Sequence, residues 1–99
     1  MHVGTPEVLG PYVIYERLGA GGMATVHRAE QIGLAGFRKQ VALKRLLPHI
    51  ASDPKMVKMF THEARLASHL RHANVVQIYD LGKHEETYFI AMEYVDGPT

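Results

Sequence analysis

The 99-residue chain contains no cysteine, so it has neither disulfides nor thiolate metal centres, and packing and hydrogen bonds must hold it together. No apolar run approaches the roughly 18 residues of a membrane-spanning helix. The N-terminus also lacks the basic-then-apolar order of a secretory signal. Neither sign of charge is in excess: eleven Lys and Arg against ten Asp and Glu leave a formal net charge of +1. A field that weak gives no drive toward nucleic acid or an anionic membrane, and the basic residues are scattered rather than run together. Internal repeats and low-complexity tracts are absent. What remains, 46% hydrophobic and 21% charged, is the composition of an ordinary globular domain. At this length the chain is one domain at most, and marginally stable by itself. These features predict a soluble, cytoplasmic segment without nucleic-acid or membrane contact.

Glycine, by contrast, is concentrated. Gly19-Ala20-Gly21-Gly22-Met23-Ala24-Thr25-Val26 holds three glycines in four successive positions. Residues without a Cβ let the backbone approach a ligand closely. N–H groups freed from a regular ladder are suited to phosphate oxygens. Alternating apolar sequence on both sides, Tyr12 to Leu18 and Val26 to Ile32, makes this stretch the tip of a hairpin. A glycine-rich turn alone is weak evidence for nucleotide binding, so the remaining chain has to decide.

Residues 1–10 carry Gly4, Pro6 and Gly10 without a period and read as a flexible arm, ahead of one domain over 11–95. Tyr12 to Leu18 is β-branched and aromatic, a strand. Thr25 to Glu30 alternates weakly, and after the turn Gly33-Leu34-Ala35-Gly36 a third strand runs from Phe37 to Leu46. Within it the period of two puts Val41 and Leu43 on one face, and Ala42 and Lys44 on the other. Turns this short predict an antiparallel meander. Ser52-Asp53-Pro54 starts a helix, a capping side chain followed by proline at the first helical position. Met56, Phe60, Glu63, Ala67 and Leu70 then recur at spacings of four and three along one helix face, and Arg71 to Asn74 ends it. Val75 to Leu81 and Thr87 to Val95 read as the fourth and fifth strands around a polar turn at Gly82 to Glu86. The expected fold is α+β: a five-stranded antiparallel sheet with one main helix, in the order βββαββ.

Glu63 does not fit a purely structural helix. It stands in line with Phe60, Ala67 and Leu70, where an unpaired carboxylate would cost several kcal/mol or be protonated. Either a cation meets it or the face opens onto water. Lys44 is the candidate cation, on the strand face it shares with the small Ala42. A lysine beside an alanine leaves room for something flat over the alanine and something anionic at the amine. The alternative is that Glu63 only borders the apolar stripe while Lys44 extends to solvent.

In combination these features resemble a known family. Gly19-x-Gly21-x-x-Ala24-x-Val26, then Val41-Ala42-Leu43-Lys44, then a helix glutamate, are similar in order and spacing to the protein-kinase signature set. His72-Ala73-Asn74-Val75-Val76 resembles the turn after the kinase helix, and Met92-Glu93-Tyr94-Val95 the hinge. The Gly21-Gly22-Met23-Ala24 wording and Gln77-Ile78-Tyr79-Asp80-Leu81-Gly82 resemble bacterial eukaryotic-like Ser/Thr kinases. The resemblance spans residues 12–97 and is to the N-terminal lobe. It implies that the backbone of Gly19, Ala20, Gly21, Gly22, Met23, Ala24 and Val26 covers the phosphates of ATP. Lys44 would contact the α- and β-phosphates while paired with Glu63. Leu18, Val26, Ala42 and Val76 would line the adenine pocket, with Met92 as gatekeeper. The carbonyl of Glu93 and the amide of Val95 would hold the adenine edge.

Two departures qualify the match. Ala24 replaces the third loop glycine, which implies a slightly stiffer loop. No stretch resembles the His-Arg-Asp catalytic loop, the Asp-Phe-Gly metal site or the Ala-Pro-Glu segment. The Mg2+ ligands and the docking surface for protein substrate are therefore expected in a C-terminal lobe, with 96–99 as its approach. Residues 1–99 alone are expected to be inactive. The competing reading is a non-catalytic interaction or homodimerisation module on the same fold. A dinucleotide fold fails because G-x-G-x-x-A must open a helix, whereas Gly33 and Gly36 would interrupt any helix begun at Thr25. A Walker A loop fails because the glycines lead into no Gly-Lys-Ser/Thr. The histidines lack a His-Glu-x-x-His pattern, so no metal site is expected within this segment.

Overall fold

The structure, a computed structural model, describes residues 7–68 and 77–95. Six strands form one antiparallel sheet in the spatial order β1-β2-β3-β4-β6-β5. They are β1 (Glu7–Leu9), β2 (Tyr12–Ala20), β3 (Ala24–Ile32), β4 (Arg38–Leu46), β5 (Ile78–His84) and β6 (Thr87–Glu93). Two helices, α1 (Pro48–Ala51) and α2 (Pro54–Ser68), fall between β4 and β5. The expected meander and main helix are present. Asp53 caps α2 through its Oδ1, which accepts the Lys55 N–H at 3.0 Å.

The sheet has one strand more than expected, because Glu7–Leu9 pairs with β2 instead of joining a loose arm. Three residues are too few to show a period. What makes the pairing work is the two-residue turn Gly10-Pro11, with Gly10 at a φ of 57° that a side chain would resist. A second shift concerns β5 (Ile78–His84), which continues through Gly82 and Lys83. Only Glu85 and Glu86 form its turn, both at positive φ. Two glutamates are not the residues that usually mark such a turn. Gly82 sits within the strand because the Phe89 ring lies against its backbone: a Cβ there would come within 2.7 Å of Phe89 Cζ. The strand residues expected at Val75 and Val76, the Leu70 end of the helix face and the turn Arg71 to Asn74 lie outside the described residues, as do 1–6 and 96–99.

Strand twist curls the sheet until β2 faces β5 and β6. Tyr12 packs edge-on against Phe89, with ring centroids 5.4 Å apart, and its hydroxyl donates to Asp80 Oδ2 at 3.3 Å. Inside the curl lie Leu9, Tyr12, Ile14, Ala29, Val41, Leu43, Phe89 and Ala91. On the other face Ala24, Leu46 and Ile90 meet Phe60 and Ala64 of α2, with Ile50 and Ala51 of α1 alongside. The period-two reading of β4 is thus realised as two cores.

Burial, and secondarily the Asp80 carboxylate, push the Tyr12 phenol up to about 12 from its ordinary 10. The unfolded chain therefore loses this proton first as pH rises. The associated stability is complete below pH 10 and lost between pH 10 and 12, a decline of about 2–3 kcal/mol. In Tyr12→Phe, urea unfolding across that window should show a decline shallower by this amount. An identical decline in wild type and variant would exclude Tyr12 as its source.

Candidate functional site

The β2–β3 hairpin carries the glycine stretch at its tip. Gly19 pairs with Val26 and Ala20 with Thr25, and the Gly21 N–H donates to the Ala24 carbonyl at 2.9 Å. The Met23 carbonyl accepts the Leu47 N–H at 2.8 Å, which ties the tip to the residue before α1. None of the loop glycines has positive φ, and a Cβ at Gly19, Gly21 or Gly22 would meet no atom within 4 Å. Neither packing nor backbone strain calls for glycine here. Their effect is to leave space.

That space is an open cleft of about 410 Å³ lined by Gly19, Ala20, Gly21, Gly22, Met23, Ala24, Val26 and Lys44. The register explains why Lys44 belongs to it. Val26 lies directly opposite Lys44, and Lys44 opposite Ile90. One step along, Ala42 lies opposite Met92. Cross-strand partners share a face, so Val26, Ala42, Lys44 and Met92 form one surface. A cation at one end, an alanine in the middle and backbone N–H groups above suit a flat ligand with an anionic tail.

The other residues singled out from sequence are less converged. Leu18 is 47% exposed and Val95 is exposed. The Glu93 N–H donates to the Gln77 carbonyl at 2.8 Å, closing β6 against the start of β5. Val76 lies outside the described residues. Arg28 was not anticipated, although the period could have found it: two residues from Val26 and opposite Ala42, it continues the same face. Its Nε donates to both carboxylate oxygens of Glu16 at 2.9 Å, and its guanidinium stacks 4.6 Å from the Tyr15 ring centroid. The hydrogen bond from Arg28 holds the Glu16 carboxyl below the usual range.

Glu63 lies off the buried face of α2, at the border of the apolar stripe: it is exposed, and no ion pair among the described residues joins it to Lys44. The buried line of α2 runs through Phe60 and Ala64, flanked by Val57. At 100° per residue that line turns Glu63 to the side. Glu63→Ala should change the stability of the lobe by less than about 0.5 kcal/mol. A loss of about 3–5 kcal/mol on chemical unfolding, as for a broken buried pair, would mean that the pair forms in solution.

Residues 12–99 match the protein kinase domain family. The tyrosine-protein kinase MasK of Myxococcus xanthus is 49% identical over 88 residues, covering 89% of this chain and 14% of MasK. The serine/threonine-protein kinase PrkC of Bacillus subtilis is 45% identical over 93 residues, 94% of this chain and 14% of PrkC. In the crystal structure of the Mycobacterium tuberculosis PknI kinase domain, 38% of that chain superposes on 97% of this one, with a TM-score of 0.71 and 29% identity. This chain thus spans a small part of the length of the relatives it matches. Sequence and fold agree that it belongs to the protein kinase family, whose N-terminal lobe it forms.

Proposed function

We propose that this lobe binds ATP and, together with a C-terminal lobe, transfers the γ-phosphoryl group to serine or threonine of a protein. The observation that carries the reading is Lys44 lying directly opposite Val26 beneath the glycine hairpin. In this reading the backbone from Gly19 to Val26 donates to the phosphates and the Lys44 ammonium neutralises α- and β-phosphate charge. Val26, Ala42, Leu18 and Met92 sandwich the adenine, and Glu93 and Val95 meet its edge. Such a site stabilises charge and fixes position rather than supplying covalent chemistry. Among the described residues no group of three or more His, Asp or Glu could hold a metal, and in this reading the Mg2+ ligands come from the C-terminal lobe. Among the described residues no helix is long and apolar enough to cross a membrane. In this reading the lobe takes its ATP in the cytoplasm.

The test is transfer from γ-labelled ATP by the intact protein with Mg2+, followed by phosphoamino-acid analysis. Label on serine or threonine is expected. Label confined to tyrosine would overturn the acceptor assignment, and absence of label would overturn the reading. Purified residues 1–99 should transfer nothing. A second reading, association through this lobe, is favoured by Leu34 and Phe37, which stand 92% and 70% exposed at the two ends of one turn. Sedimentation of Leu34→Glu checks it, with unchanged association as the contrary result.

A further inference from the structure

The reverse face of the glycine hairpin carries a second constellation. Thr25 and His27 alternate with Val26 along β3, so they point away from the nucleotide face. Thr25 lies directly opposite Arg45, and His27 opposite Arg17. With Leu46, Leu47, Glu86 and Thr87 these four residues line a groove of about 310 Å³. The Nδ1 atom of His27 is buried there without a hydrogen-bond partner. Burial first, then the Arg45 and Arg17 charges, lower the His27 pKa, partly offset by Glu7. Two acids border the groove, and both are engaged: Glu7 from β1 pairs with Arg45, and Glu86 lies 3.7 Å from Lys83.

Two guanidinium groups, a hydroxyl and an imidazole converging from three adjacent strands form a donor-rich surface. Arginine forks match carboxylate and phosphate oxygens, and such charge-assisted bonds are the strong ones. Arg45 already holds an oxyanion, the Glu7 carboxylate. We propose that this groove behind the glycine hairpin binds an oxyanion of the phosphate class, free or on a peptide side chain, which displaces Glu7 from Arg45. An occupant bridging Arg17, Thr25 and Arg45 ties together the strands that carry the glycine stretch.

The experiment is a calorimetric titration of the complete kinase with inorganic phosphate, a phosphoserine peptide and the same peptide unphosphorylated. The nucleotide cleft is first saturated with a non-hydrolysable ATP analogue, and the series is repeated in Lys44→Met. The groove lies on the opposite face from that cleft, so phosphate binding should persist in both settings even if the ATP reading fails. Phosphate and phosphopeptide are expected to bind and to compete with each other. Arg17→Met and Arg45→Met should each weaken binding about tenfold or more. Glu7→Gln should tighten it by removing the competing carboxylate. Lys39→Met, whose ammonium sits over the Tyr79 ring instead, should leave it unchanged. No saturable phosphate binding, equal binding of the unphosphorylated peptide, or unaltered affinity in both arginine variants would overturn the proposal.

Discussion

Lys44→Met in the complete kinase should lower the rate of phosphoryl transfer by about a hundred- to a thousandfold, the usual loss for one preorganised charge-stabilising group. The protein should nevertheless remain folded. Lys44 lies on a central strand, half-buried, with Val26 opposite on one side and Ile90 on the other. No ion pair among the described residues involves it, so removing the ammonium strands no native partner. Methionine keeps the length of the stem and suits apolar neighbours. The two measurements are turnover at saturating ATP and thermal unfolding. Turnover like wild type would remove Lys44 from the site. Lost turnover with a collapsed unfolding transition would make its role structural.

Phe60→Ala should cost about 3–5 kcal/mol, the range for truncating a buried aromatic ring. Phe60 is 3% exposed and lies in the cluster with Ala24, Leu46 and Ile90. Among the described residues of α2 only Phe60 and Ala64 are buried, so the Phe60 ring is the largest buried group seen between this helix and the sheet. Against total stabilities of roughly 5–15 kcal/mol for a domain, the loss is large. Urea unfolding read by helix signal should show it, whereas Met59→Ala, at a position 49% exposed, should change little. Equal effects at the two positions would show that α2 is not docked as described.

Much of this was legible from residue order. The meander, the helix start at Asp53 and the two faces of β4 follow from periods of two and 3.6 and from capping chemistry, all local rules. The clustering of Gly19, Gly21 and Gly22 marked the cleft, and alternation from Val26 and Lys44 marked its floor. Short or irregular features were not legible. Glu7–Leu9 is too brief to show a period, and the Glu85-Glu86 turn uses residues that do not advertise one. Of the helix face, Phe60 is buried and Glu63 exposed, because spacings of four and three admit two neighbouring stripes. Local sequence cannot say which of them meets a sheet.

By itself the sequence determined the element types, the glycine hairpin and the identity of the strand lysine, because each depends on neighbours within one or two turns of chain. Tertiary structure decided the rest. Register between β3 and β4 set Val26 against Lys44 on one face and Thr25 against Arg45 on the other. The curl of the sheet brought Tyr12 to Asp80, 68 positions away in sequence. Docking through Phe60 and Ala64 turned Glu63 outward. Each is a long-range packing outcome, fixed by which apolar surfaces find one another and not by any local pattern.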